Sequence, residues 1–268
     1  MTEDNQNWEA PPPPETPPNL EAEQPEMSEF GTLASIFFEP GRTFEDLRKQ
    51  PRFIFAMLII IILTTTFAVL FQQRMGEERY RRAFTEMLDK NPQVQSLPPE
   101  QKKAQVDLQL KISQYGAFAI PILILIVSFI GALIYWLGAK AMGGTMGYMH
   151  GVAVWVYSSF PPTVVTVLAN LVVLFLKSPD EVDIITAGQR GLVNANPTMF
   201  FDGKAMPVLS TILSSLDVFA IWGLILAAIG LRILGRISSG AAWGVVLMLT
   251  LVGITLRVVF ALISGNPS

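Results

Sequence analysis

The chain has 268 residues, with 19 Lys or Arg against 22 Asp or Glu, a single His and no Cys. Half of its residues are hydrophobic and only 15% are charged, and the apolar residues are gathered into long blocks, which is the composition of a membrane protein. The absence of cysteine excludes disulfides, thiolate catalysis and cysteine-ligated metals, and a net charge of −3 gives no reason to expect a nucleic-acid partner.

Residues 1–29 hold eight acidic side chains and no Lys or Arg, around the run "APPPPETPPNLEAEQPE". Such a segment cannot bury enough apolar surface to order itself, so residues 1–27 are expected to form a disordered acidic tail, with a polyproline docking peptide as the alternative. Residues 30–268 then carry 14 acidic against 19 basic residues.

Phe30, Leu33 and Phe37 fall at helical spacing. Pro40 and Gly41 break the segment, and Thr43 with Asp46 resembles a capping box opening a second short helix. Both pieces read as interfacial amphipathic helices, with their apolar faces on the bilayer and Arg42, Arg48, Lys49 and Arg52 toward anionic head groups.

Five blocks reach the roughly 20 residues needed to cross about 30 Å of hydrocarbon: 53–73, 116–138, 152–176, 207–234 and 241–264. The first has no small-residue cleavage site behind it and reads as an anchor. The expected fold is an all-α membrane protein, a five-helix transmembrane bundle. Between the first two spans, Glu77/Arg81 and Glu78/Arg82 stand at the spacing of an exposed helix. A second helix is expected to open at Pro99 and run into the second span.

Enzyme signatures fail one by one. "EERYRR" fits the pattern that opens membrane-embedded CAAX-type proteases, but those need several metal-binding histidines and this chain has only His150. Zincin, P-loop and GxSxG patterns are absent, and Ser158, Ser159, Ser214 and Ser215 lack a base. No catalytic, cofactor-binding or metal-binding residue is expected.

Polar residues inside the spans are the remaining candidates. A charge at mid-bilayer is costly by about 3 kcal/mol on insertion scales and seeks a partner. Asp217 and Arg257 lie equally far from Ile237, the centre of the turn joining the last two spans, so at equal rise per residue they share a depth. Their pairing is the expected ion pair fixing the last hairpin, with Ser210 and Ser214 on the Asp217 face as further donors. A transported proton or ion is the alternative role. Pro161 and Pro162 remove two amide donors and are expected to kink or break the third span. Asn170 reads as interhelical glue, and Gly223, Ala227 and Gly230 as a close-contact stripe.

Three stretches together, "IFFEPGRTFEDLRKQPRF", "GGTMGYMHGVAVWVYSSFPP" and "LDVFAIWGLILAAIG", resemble the bacterial branch of the Ypt-interacting-protein (Yip-one) domain family over about residues 30–264. The resemblance implies a five-helix bundle with a cytosolic N-terminus in the bacterial cytoplasmic membrane. Eukaryotic members of the family bind Rab GTPases, whereas bacterial members have no settled activity; the Asp-Leu-Tyr-Gly-Pro motif of the eukaryotic branch is missing here. Charge alone opposes this orientation mildly, with 7 Lys or Arg near the spans on the N-terminal side against 11 on the other. The expected partners are the lipid bilayer and other membrane proteins, a further copy of the chain included. The leading expectation is a non-enzymatic scaffold or adaptor; the second is a channel or transport component using Asp217 and the Pro161/Pro162 break.

Overall fold

The computed structural model describes residues 24–89, 94, 96–193, 195–200 and 207–264; most of the acidic tail lies outside them. Ten α-helices run through the described residues: α1 Glu29–Ser35, α2 Pro40–Lys49, α3 Ile54–Met75, α4 Glu77–Asp89, α5 Pro99–Ala141, α6 Tyr148–Leu176, α7 Ile184–Arg190, α8 Pro207–Ser214, α9 Val218–Gly235 and α10 Ser239–Ser264. Two short 3₁₀ turns, Pro179–Glu181 and Pro197–Phe200, complete the described residues, which contain no strand. Five helices are long and apolar enough to cross a membrane: α3, α5, α6, α9 and α10.

The small helices at the N-terminus depart from their expected form. Ser28 caps α1, its Oγ accepting the Gly31 N–H at 3.1 Å. The segment breaks into two helices as expected, at residues 36–39, and Pro40 itself starts α2, because a first-turn residue has no need of an amide donor. Thr43 therefore lies inside α2 and its hydroxyl donates to the Glu39 carbonyl at 3.1 Å, so the anticipated capping box is absent. The apolar face of α2 is also spent inside the protein. Phe44 and Leu47 are fully buried in the main core with Val154 of α6 and Leu231 of α9. A Cβ on Gly230 would stand 2.9 Å from the Phe44 ring, so the missing side chain there makes the seat for that ring.

At this same end the connections are tight. Gly144, between α5 and α6, lies where a Cβ would come within 2.8 Å of the Gly235 carbonyl, and Thr145 donates its N–H to that carbonyl at 3.1 Å. Arg236 turns the chain in the left-handed region at φ 53. Ser238 then receives the Ala241 N–H at 3.1 Å and opens α10.

The opposite end is a folded cap outside the spans. α5 is a single helix of 43 residues that begins with Pro99 in its first turn, as expected, and continues through Pro121. Its first half pairs with α4. Arg81 reaches Asp107 at 2.7 Å and Glu77 at 3.3 Å, Arg82 meets Glu78 at 3.7 Å, and Leu88, Val106 and Leu110 form a small core. A second small core joins Phe71 and Met75 of α3 to Leu174 of α6, to Val182 of the following loop and to Ile184 and Ala187 of α7. Arg79 clasps that loop through the Asp180 carboxylate and the Pro179 carbonyl, while Arg74 donates to the Lys177 carbonyl at 3.0 Å.

Candidate functional site

The fourth apolar block, expected as one span over 207–234, is two helices. α8 ends at Ser214, and α9 begins at Val218 with Asp217 as its N-cap. Asp217 is thus not a carboxylate in the middle of a helix but the residue that starts one. Its Oδ1 accepts the N–H groups of Phe219 at 2.9 Å and Ala220 at 3.3 Å. Its Oδ2 faces the Asn196 amide at 3.5 Å. Arg257 is not among the carboxylate's partners, so the equal spacing about Ile237 does not produce the expected ion pair. The physical reason is local: a carboxylate placed before free helix-start donors satisfies them, and a broken block removes the equal contour on which the pairing argument rested.

The serines behave similarly. Ser214 and Ser215 donate to the Thr211 carbonyl at 2.8 and 3.1 Å, and Ser210 and Thr211 are buried. α6, by contrast, continues helically through Pro161 and Pro162. Packing by neighbouring helices holds a proline-bearing membrane helix together, and the interruption sits at Ser215, Leu216 and Asp217 instead.

Asn170 is only 4% exposed and fastens a loop rather than a neighbouring span. Its Nδ2 donates to the Thr166 carbonyl at 2.7 Å. Its Oδ1 accepts the backbone N–H groups of Leu192 and, at 3.1 Å, of Val193. Gly191, at φ 80, lets the chain turn there, and a Cβ on it would come within 2.9 Å of that same oxygen. The loop continues to the break in the fourth block, where Val218 donates to the Ala195 carbonyl at 3.2 Å. Non-helical backbone near the spans is tolerated where protein groups satisfy it, and Asn170, Asn196 and Asp217 together perform that service.

Below this polar junction lies a cleft of about 560 Å³ between α3, α5, α6 and α9. Its walls are mainly apolar, with Tyr135 and Trp155 toward one end and Val167 and Phe219 toward the other. The small-residue stripe of α9 borders it: Gly223 faces the Ser158 carbonyl and the Pro162 ring across the cleft wall. Ser158 and Ser159 donate back to the Trp155 carbonyl at 3.0 and 2.7 Å. Among the described residues no group of His, Asp and Glu side chains could hold a metal ion. His150 stands at the other end of the bundle, with Nε2 donating to the Arg48 carbonyl at 3.1 Å.

Sequence reasoning missed one further constellation. Asp46 of α2, expected in a capping box with Thr43, is 4% exposed and ion-paired with Arg52, itself 14% exposed. Asp46 Oδ1 also accepts the Glu26 N–H at 2.6 Å. Arg52 donates to the Met27 carbonyl at 2.8 Å and the Thr32 hydroxyl at 3.2 Å. The end of the acidic segment is therefore tied down, with Glu26 on Lys49 at 2.7 Å. The bond to Lys49 holds the Glu26 carboxyl below its ordinary range. A buried arginine six residues after a buried aspartate leaves little mark in a sequence, because both types are common on surfaces.

The chain matches the Yip1 domain model over residues 34–262. It is similar to the membrane protein YknW of Bacillus subtilis, at 29% identity, with 92% of this chain and 95% of that protein covered. No solved structure matches it. The family match takes in α2 through most of α10, all five membrane-crossing helices included, and the chain belongs to the Yip1 domain family.

Proposed function

We propose that this protein is a non-enzymatic scaffold or adaptor of the bacterial cytoplasmic membrane, with its N-terminus in the cytoplasm, that holds other membrane proteins. The observation that carries this reading is a face of α5. Leu108, Ile112 and Tyr115 are 58%, 61% and 68% exposed on one side of the helix, at the 4-then-3 spacing of a contact stripe. Their neighbours Asp107 and Gln114 bond Arg81 and Glu77, which belongs to the polar side of the membrane boundary. Large apolar side chains exposed there fit a contact with a partner. The stripe continues down the same helix through Ile122 and Ile126, also exposed, so one partner helix could follow it from the polar layer into the bilayer.

The intramembrane polar groups support the same reading. The Asp217 carboxylate serves its own helix end and the Asn170 amide serves a loop, whereas a conduction pathway needs such groups free on a common wet surface. The broken fourth span is the one observation that favours the second reading, a channel or transport component, because discontinuous helices line sites in transporters.

Affinity capture of the tagged protein from native membranes, with quantitative mass spectrometry, tests the proposal. The comparison is between the full chain, a chain lacking residues 1–27, and Ile112→Glu. A stoichiometric partner that Ile112→Glu loses supports the adaptor and places the contact on α5; loss on truncation moves the contact to the tail. Recovery of the protein alone rejects the adaptor and turns attention to flux assays on Asp217 variants.

A further inference from the structure

We propose that the cleft between α3, α5, α6 and α9 binds a single-chain lipid that carries a hydroxyl or amide group. The inference stands on the contents of the cleft and does not depend on the adaptor reading.

Its size and depth come first. A volume of about 560 Å³ falls within the roughly 300–1,000 Å³ of small-ligand sites. The stretch of α6 that lines it, from Trp155 to Val167, is about 18 Å long at 1.5 Å per residue. All four helices that enclose it are membrane-crossing ones, so its occupant comes from the bilayer.

Three hydroxyls then distinguish it from an ordinary lipid-facing groove. Thr64, Thr163 and Thr166 line the cleft, and none has a hydrogen-bond partner among the described residues. On α10, by contrast, the Thr250 and Thr255 hydroxyls are satisfied by their own helix, donating to the Val246 and Leu251 carbonyls at 2.8 Å; outside the cleft Thr65 of α3 is also without a partner. A hydroxyl left without a partner away from water costs about 1–3 kcal/mol on mutational scales, and here three such donors share one cavity.

An acceptor lies beside them. Pro162 has no amide hydrogen to give the Ser158 carbonyl one helical turn before it. On the facing helix Gly223 leaves that oxygen approachable; a Cβ there would stand 3.3 Å away. The cleft therefore offers donors, a carbonyl acceptor and a long apolar wall. An alkyl chain bearing a group that both donates and accepts answers all three. A phospholipid acyl chain has neither function at this depth. A cation finds no carboxylate among the lining residues.

The test uses the full-length protein in phospholipid nanodiscs with a diazirine-bearing octadecanol as the photolabel. The expected result is saturable labelling of α6 and α9 peptides, displaced by octadecanol and octadecanamide but at least tenfold less well by octadecane. Thr163→Val with Thr166→Val, which keep the side-chain shape, weaken displacement by octadecanol about tenfold, as expected for loss of one or two net hydrogen bonds. Gly223→Leu, which fills the cleft, removes the saturable labelling, and Thr250→Val on α10 leaves it unchanged. Equal displacement by octadecane overturns the proposal by showing a purely apolar slot. Labelling that does not saturate overturns it as well, by showing bulk lipid only, and so does displacement by octadecanol that the valine pair leaves unchanged, by showing that the hydroxyls take no part.

Discussion

Asp46 and Arg52 form an ion pair beneath the N-terminal helices, with both side chains withdrawn from solvent. Removing one partner of such a pair leaves the other charge buried and costs about 3–5 kcal/mol. Asp46→Ala should lower the melting temperature of the detergent-solubilised protein and expose residues 24–30 to proteolysis, because the Glu26 and Met27 N–H groups lose their acceptor as well. The double change Asp46→Asn with Arg52→Met should recover part of the loss. A single variant as stable and as protease-resistant as the parent would show that the pair does not hold this end together.

Asn170→Leu keeps the volume but strands the N–H groups of Leu192 and Val193. At about 1–3 kcal/mol for each unsatisfied buried group, the loop should open locally before the bundle melts. Hydrogen exchange followed by mass spectrometry should show faster exchange at residues 191–193, with the core helices α6 and α9 unaffected.

Asp217→Ala should cost about 0.5–2 kcal/mol, the usual worth of an N-cap, while Asp217→Asn should be nearly neutral because an asparagine oxygen caps equally well. The charge swap Asp217→Arg with Arg257→Asp should be worse than Asp217→Ala, since no ion pair is there to be exchanged. Thermal unfolding of the three variants in one detergent decides it; rescue by the swap would restore the ion-pair assignment.

Tyr80, in α4 at the cap, has its phenol pushed up to about 12 by burial. A folded-state pKa above the unfolded value of about 10 means that the folded form keeps its proton longer. The contribution is fully present below pH 10 and is lost as pH rises toward 12. Fluorescence from a probe on α4 should report loosening of the cap in that window, and Tyr80→Phe should remove this part of the pH response.

How far the sequence reaches depends on the range of the interactions involved. Membrane-crossing helices are written locally, as apolar blocks of sufficient length, and α3, α5, α6 and α10 follow their blocks closely. Local pairs such as Glu77 with Arg81 and the opening of α5 at Pro99 are legible for the same reason. The Asp217 assignment failed because hydropathy registers α8 and α9 as one block; Leu216 and Val218 mask the break, and only the capping preference of Asp hinted at it. Asp46 with Arg52, Asn170 with Val193 and the hydroxyl-lined cleft each depend on elements brought together by folding, through contacts that no periodic pattern announces.

The length of α5 gives the molecule a mechanical property. At 1.5 Å per residue its 43 residues make a rod of about 65 Å, roughly twice the hydrocarbon thickness. One end is gripped where Ala139 meets the Gly144 turn, and the other carries the α4 partner helix outside the bilayer. Pro121, the only proline inside the rod, sits near the point where it leaves the membrane and removes a backbone bond there. A load on the protruding arm is thus carried to the far side by a single stiff element with one built-in bending point. A tilt of 10° about that point moves the outer tip by about 6 Å over the roughly 22 residues beyond it, while the gripped end stays in place.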